Sequence, residues 1–309
     1  MSNRLGKIRA LSGGHLDEKT GKGLQNLFKR VLKSGIHGIC FSPYEEGQEP
    51  GDQLSEKQIR RRLEVIKPYT KWIRSFSCTD GNELIPELAK EMGMKTLVGA
   101  WLGDNAEINE REVSGLLRLA NQGYVDIAAV GNEVMYRKDL TEDQLLKYMQ
   151  QVKAALPNNV PMGYVDAYYE FVNRPKITEA CDVILANCYP YWEGCSIDYA
   201  LIYMKDMYHQ AQRAGQGKKV IITETGWPSE GEGIHGALPS YENATKYFIN
   251  TQQWSIEEDI EIFYFSSFDE SWKVGTEGDV GAYWGLWDMD EKLKYVNKSM
   301  SLKDIKVYF

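Results

Sequence analysis

Histidine and cysteine are scarce in this chain. The four histidines, His15, His37, His209 and His235, are spread over 309 residues, and no two share a motif. A catalytic metal centre built on imidazole ligands is therefore not expected, and no other cofactor is indicated. The five cysteines are Cys40, Cys78, Cys181, Cys188 and Cys195, an odd number with no CxxC among them. That pattern indicates neither a disulfide framework nor a zinc ribbon. A Cys188–Cys195 bridge is conceivable and has no support in the pattern. No apolar run nears the roughly 20 residues that a membrane helix needs, and Met1-Ser2-Asn3-Arg4-Leu5 opens no apolar leader. As written, the chain is expected to be soluble and to stay where it is made, although a secreted or periplasmic protein without its leader would read the same. Long basic runs are missing too. With a formal net charge of −8, neither nucleic acid nor an anionic membrane is an expected partner. The compact cluster Arg60-Arg61-Arg62 is expected on a solvated helix face. A monomer is expected.

Aromatic residues are plentiful, with 19 Tyr and 8 Trp. Many follow predicted strands directly: Trp101, Tyr136, Tyr189, Tyr191, Trp192, Trp227, Phe268 and Trp272. Clustered at strand exits, they suggest platforms for flat ligand faces such as sugar rings.

The alternation of elements is regular. A helix near 21–34 carries Leu24, Leu27, Phe28, Val31 and Leu32 on one face. A strand follows at 37–44. Ser55 and Gln58 form a capping box, and Leu54 and Ile59 a hydrophobic staple, for a helix closed by Pro68. Strand 72–76, helix 82–92, strand 95–101 and helix 109–121, capped by Asn109, come next. A strand ends at Glu133. Helix 141–156 is capped by Thr141 and Gln144. A short strand at 161–165 and a weak helix near 174–179 precede strand 181–191. Helix 196–213, a strand ending at Glu224, helix 240–254 and strand 260–267 complete the series, and residues 291–309 return to helical or irregular structure. Eight strands alternating with helices, with no linker, predict a single-domain α/β fold, a (β/α)8 TIM barrel over residues 1–309 with its core at about 36–290. A doubly wound open sheet is the alternative, but no glycine-rich phosphate loop follows the first strand.

Two of these strands share a design. Val220-Ile221-Ile222-Thr223-Glu224 and Val125-Asp126-Ile127-Ala128-Ala129-Val130-Gly131-Asn132-Glu133 are apolar runs that each end on a carboxylate. A charge at the end of a buried strand is costly unless paired or used. In a barrel both glutamates would face the C-terminal mouth, where active sites form. Two carboxylates across a cleft, amid aromatics, point to glycosidic bond cleavage, one acting as proton donor and the other as nucleophile or base. Structural roles for both glutamates, a metal-dependent hydrolase and a sugar-binding module with a dead site are the weaker readings. Asn132 is placed to bond a sugar 2-hydroxyl or, failing that, loop backbone.

Val130-Gly131-Asn132-Glu133, Ile222-Thr223-Glu224-Thr225-Gly226-Trp227-Pro228-Ser229, Phe268-Asp269-Glu270-Ser271-Trp272-Lys273 and Asn187-Cys188-Tyr189-Pro190-Tyr191 resemble the motifs of glycoside hydrolase family 17. The likeness runs from about Gly38 to Trp287. It implies a retaining (β/α)8 enzyme acting on β-1,3-glucan, expected to cut internally, with transfer of glucan as the alternative outcome. It implies Glu133 as acid/base and Glu224 as nucleophile. It further implies cleft contacts at Tyr189, Glu270 and Lys273. Asn132 and the strand-exit aromatics Tyr191, Phe268 and Trp272 are expected contacts beside them, and Trp227, next to the nucleophile, suits either a sugar contact or a packing role between Gly226 and Pro228. Phe76 stands where plant members carry a tyrosine, the fifth-strand region matches poorly, and the chain looks closer to bacterial members. The sequons at Asn243 and Asn297 match a pattern that often arises by chance.

Overall fold

A computed structural model describes residues 21–296. The N-terminal residues Met1–Leu5, His15, the sequon at Asn297 and most of the predicted segment 291–309 lie outside the described residues. Within them, Lys294–Val296 form a short 3-10 turn.

Eight parallel strands close into a barrel in sequence order. They are β1 (Ile36–Cys40), β2 (Thr70–Ser75), β3 (Lys95–Ala100), β4 (Ile127–Asn132), β5 (Met162–Ala167), β6 (Val183–Asn187), β7 (Lys219–Thr225) and β8 (Ile262–Tyr264). Pairing of β1 with β8 through Gly38 and Phe263 closes the cylinder. The outer layer contains α1 (Lys22–Lys33), α2 (Glu56–Ile66), α3 (Leu84–Glu91), α4 (Ala106–Asn121), the short α5 (Val134–Arg137), α6 (Glu142–Ala155), α7 (Tyr168–Asn173), α8 (Pro175–Ala180), α9 (Ile197–Gly215) and α10 (Tyr241–Glu257). This is the expected (β/α)8 barrel. Among the described residues, no helix is long and apolar enough to cross a membrane.

Local chemistry accounts for most boundaries. All five apolar residues predicted for the inner face of α1 are buried. Thr141 and Gln144 form a complete capping box at α6. Ser55 accepts from the Gln58 backbone N–H at α2, but the Gln58 side chain donates to Pro43 O at 2.7 Å, so only half of that box forms. Helix α4 begins a turn earlier than expected. Asn105 is its N-cap, and Asn109 lies inside the helix, where its amide closes the preceding loop on Gly103 N and O at 2.8 Å each. The weak helix near 174–179 is α8, and a further short helix, α7, precedes it and stops before Pro175, which cannot continue it. Strand β8 is shorter than predicted. Past Phe265 the backbone exchanges hydrogen bonds with Trp284, Leu286 and Trp287 instead of continuing the ladder.

The arginine cluster divides. Arg60 and Arg61 are solvated, but Arg62 is fully buried. It lies on the Ile59–Ile66 face of α2, donates to Ser42 O at 2.9 Å and stacks over the Phe268 ring at 4.5 Å. All five cysteines are free thiols, so Cys188 and Cys195 are not bridged.

Candidate active site

At the C-terminal mouth the strand ends depart from regular pairing. Register shifts occur between Ala129 and Asn132 on β4, at Ala186–Asn187 between β6 and β7, and between Ile222 and Thr225 on β7. Such bulges re-aim side chains at barrel rims. Two glycines permit this geometry. Gly131 has φ +86°, and a Cβ on Gly226 would sit 2.1 Å from Phe265 O, so no other residue fits there. Glu133 itself is left-handed, at φ 51°. For a residue with a side chain that costs on the order of 1 kcal/mol, offset here by the surrounding bonds.

Glu133 and Glu224 come to one site and are tied together from two directions. Arg74, from β2, donates through Nη1 to Glu224 Oε1 at 2.5 Å and through Nη2 to Asn132 Oδ1 at 2.6 Å. Asn187, at the end of β6, donates to Glu133 Oε1 at 2.9 Å and accepts from Thr223 Oγ1 at 2.9 Å. Tyr189 donates to Glu224 Oε2 at 2.8 Å. Both oxygens of Glu224 therefore have donors, one of them a buried guanidinium. Glu133 has the amide of Asn187 and, among the described residues, no cation bonded to it. Burial, and after it the negative charge of Glu224, push the Glu133 carboxyl up to about 7, against the opposing hydrogen bond from Asn187. One carboxylate is matched with a positive charge while its neighbour holds its proton up to near-neutral pH. That is the division of roles a proton donor and a nucleophile need.

A second buried pair stands beside the first. Lys273 Nζ meets Glu270 Oε2 at 2.7 Å and lies 4.1 Å from the Phe265 ring centre. Trp272 is partly buried and donates to Glu270 at 3.2 Å. At the rim, Trp101 and Trp192 are half-exposed, and Arg137 covers one face of Trp101 at 4.4 Å. Among the described residues no three His, Cys, Asp or Glu side chains converge as metal ligands would. A cleft of about 480 Å³ between α7, α8 and the end of α9, lined by Phe171, Arg213 and Lys218, contains neither carboxylate.

Three of the aromatic residues expected to contact substrate are placed otherwise. Tyr191, Trp227 and Phe268 are fully buried. Tyr191 packs edge-on against Trp227 and Trp284 and donates to Glu232 O at 3.0 Å. Trp227 donates to Leu238 O at 3.0 Å, and Phe268 lies under Arg62. Rings closed in on both faces have none left for a sugar, so these residues form the wall behind the site. Tyr189 bonds Glu224, Asn132 shares Arg74 with it, and Glu270, Trp272 and Lys273 form a linked group of their own. Phe76 is partly buried, with its ring 4.2 Å from the Arg74 guanidinium.

Two residues escaped the sequence reading. Arg74 gave a usable signal, as a cation within a buried strand. Asp166 gave a similar one. It stands two residues beyond Tyr164 on β5, on the apolar side of the strand, and is fully buried. Its Oδ2 accepts from Met135 N at 3.2 Å and Tyr136 N at 3.3 Å.

Residues 38–285 match the BtgE/BtgC glycoside hydrolase domain. The chain is 29% identical to a glucan 1,3-beta-glucosidase, BGL2, of Candida albicans, over 75% of its own length and 83% of that protein's. It is 27% identical to a probable glucan endo-1,3-beta-glucosidase, btgC, of Aspergillus fumigatus, over 91% of its own length and 46% of the relative's. A glycoside hydrolase family 17 beta-1,3-glucanosyltransferase from Rhizomucor miehei superposes with a TM-score of 0.76 at 29% identity, covering 85% of this chain and 96% of that one. An active-site mutant of that enzyme has been solved with laminaritriose. These relatives are fungal, and the expected closeness to bacterial members has no support in them. Barrel, paired strand-end glutamates and a match over most of the length lead to one assignment: the chain belongs to the BtgE/BtgC glycoside hydrolases, within glycoside hydrolase family 17.

Proposed function

We propose that the protein cleaves β-1,3-glucan at internal linkages with retention of configuration. In this reading Glu224 attacks the anomeric carbon while Glu133 gives its proton to the departing glycosidic oxygen. Glu133, now a carboxylate, then takes a proton from water, which releases the sugar from Glu224. The observation that carries the reading is the asymmetry of the pair: Glu224 bonded to Arg74 and Tyr189, Glu133 held up to about 7. With its Oδ1 engaged by Arg74, Asn132 offers its Nδ2 to a sugar 2-hydroxyl. Glu270, Trp272 and Lys273 supply further contacts to sugar hydroxyls, and Tyr189 holds the nucleophile in line. The names of the relatives support β-1,3-glucan as the substrate class.

Glu224→Ala is expected to lose turnover of laminarin, and azide is expected to restore part of it as the glycosyl azide of opposite anomeric configuration. If no small nucleophile rescues this variant, the assigned role is wrong. Early products of mixed length from long laminari-oligosaccharides support internal cutting, and release of one fixed sugar from the end refutes it. The Rhizomucor miehei relative, a glucanosyltransferase by name, favours a second reading in which a sugar hydroxyl replaces water in the second step. Products longer than the input oligosaccharide would mark that outcome.

A further inference from the structure

Glu133 is the last residue before α5, a helix of a single turn. Glu133 offers no side-chain cap to the turn that follows it. The acceptor comes instead from the neighbouring strand. Asp166 Oδ2 takes the Met135 and Tyr136 N–H groups at 3.2 and 3.3 Å, and its Oδ1 takes Ala167 N at 2.8 Å. Tyr164 OH donates to the same carboxylate and accepts from Met135 N at 2.9 Å. The Met135 and Tyr136 N–H groups are orphan donors of a helix start, satisfied by a carboxylate that burial pushes up to about 6 against these hydrogen bonds.

Asp166 does not face the mouth. Val165 packs with Ala129, Leu185 and Ile221 inside the barrel, whereas Tyr164 packs outward with Val134, Leu145 and Phe171. Side chains alternate along a strand, so Asp166 follows Tyr164 into the layer behind the wall. It is fully buried there and out of reach of a glucan in the mouth. A buried carboxylate with four donors is costly to build and of no use to substrate binding.

We propose that Asp166, with Tyr164, is the positioning residue of the acid/base: it locks the turn after β4 and so fixes where the Glu133 carboxyl points. This rests on the function proposed above. The charge of Asp166 has a second effect in the same direction. Glu133 is faced by Glu224 from β7, Asp166 from β5, Arg137 from α5 and the neutral Asn187 from β6. Burial and the two negative charges favour its protonated form, and Asn187 and Arg137 oppose them. Asp166 is faced in turn by Tyr164 and Glu170.

The test uses Asp166→Asn and Tyr164→Phe in the full chain. Two substrates are compared: a laminari-oligosaccharide, whose leaving group needs a proton, and a dinitrophenyl β-laminarioside, whose leaving group does not. Asp166→Asn keeps an acceptor and removes the charge. Its alkaline limb in kcat/KM is expected to move to lower pH by about half a unit. Its kcat/KM on the oligosaccharide is expected to fall roughly tenfold, a fraction of what a general acid supplies, while kcat/KM for the activated substrate, which reports only the step that needs no proton, stays within about threefold. Tyr164→Phe keeps the carboxyl group and removes one of its donors. It is expected to lose more in kcat/KM on the oligosaccharide than on the activated glycoside. Equal losses on both substrates in either variant, or an unmoved limb in Asp166→Asn, overturn the proposal. Should Asp166→Asn fail to fold, the substrate comparison in Tyr164→Phe decides. Wild-type protein that leaves the oligosaccharide intact would instead refute the functional reading.

Discussion

Replacing Glu224 with Gln tests the electrical link between the two glutamates. The substitution keeps the shape, an acceptor for Arg74 and a partner for Tyr189, and removes one negative charge. Glu133 stands at about 7 against an ordinary 4.5, a difference worth about 3.4 kcal/mol at 1.36 kcal/mol per pH unit. Burial is the larger cause and Glu224 the next. Two unit charges at the roughly 5–5.5 Å of a retaining pair interact by about 3 kcal/mol at an effective dielectric constant of about 20, which bounds the effect from above. Burial survives the substitution, so loss of the Glu224 charge is expected to lower the Glu133 midpoint by about one pH unit, or about 1.4 kcal/mol. The sign follows from the chemistry: a negative neighbour disfavours ionisation, so its removal lets Glu133 lose its proton at lower pH. Carboxyl ¹³C NMR of labelled protein should place the Glu133 midpoint near 6 in the Gln variant, above 4.5 because burial persists. A midpoint unchanged from wild type, or one that rises, would mean that the two carboxyls do not face each other, and the double-displacement reading would lose its basis.

Arg74→Met should lower stability by about 3–5 kcal/mol in urea titrations, because the buried Glu224 carboxylate loses its countercharge; a change below about 1 kcal/mol would show that the pair is solvated. Trp227→Ala should cost a similar 3–5 kcal/mol by opening a cavity in the core, while KM for laminari-oligosaccharides in the folded protein stays near that of wild type. A large rise in KM with stability intact would restore Trp227 as a sugar contact.

The barrel was legible in the sequence because its signals are local. The apolar face of α1, the caps at Ser55 and Thr141, and glycine or proline after most helices mark elements without knowledge of their neighbours. The boundaries that moved depended on partners outside the element itself. Asn109 reads as a cap, yet its amide is used by the loop at Gly103. The apolar run 260–267 reads as one strand, yet Ser266 and Ser267 bond to the 284–287 segment. The site was legible in part for the same reason. A carboxylate that ends a buried strand is conspicuous in one dimension, and there were two.

What the sequence by itself determined was the order and kind of the elements, and that two strands end in acid, since backbone preference and periodicity act over a few residues. Only the closed barrel decided which groups meet. Arg74 reaches Glu224 across 150 positions of sequence, Asn187 reaches Glu133 across 54, and Asp166 supports a turn on the strand beside its own. It also separated the aromatics that line the mouth from those sealed behind it, because burial depends on what packs against both faces of a ring, and strand-end position alone does not reveal that.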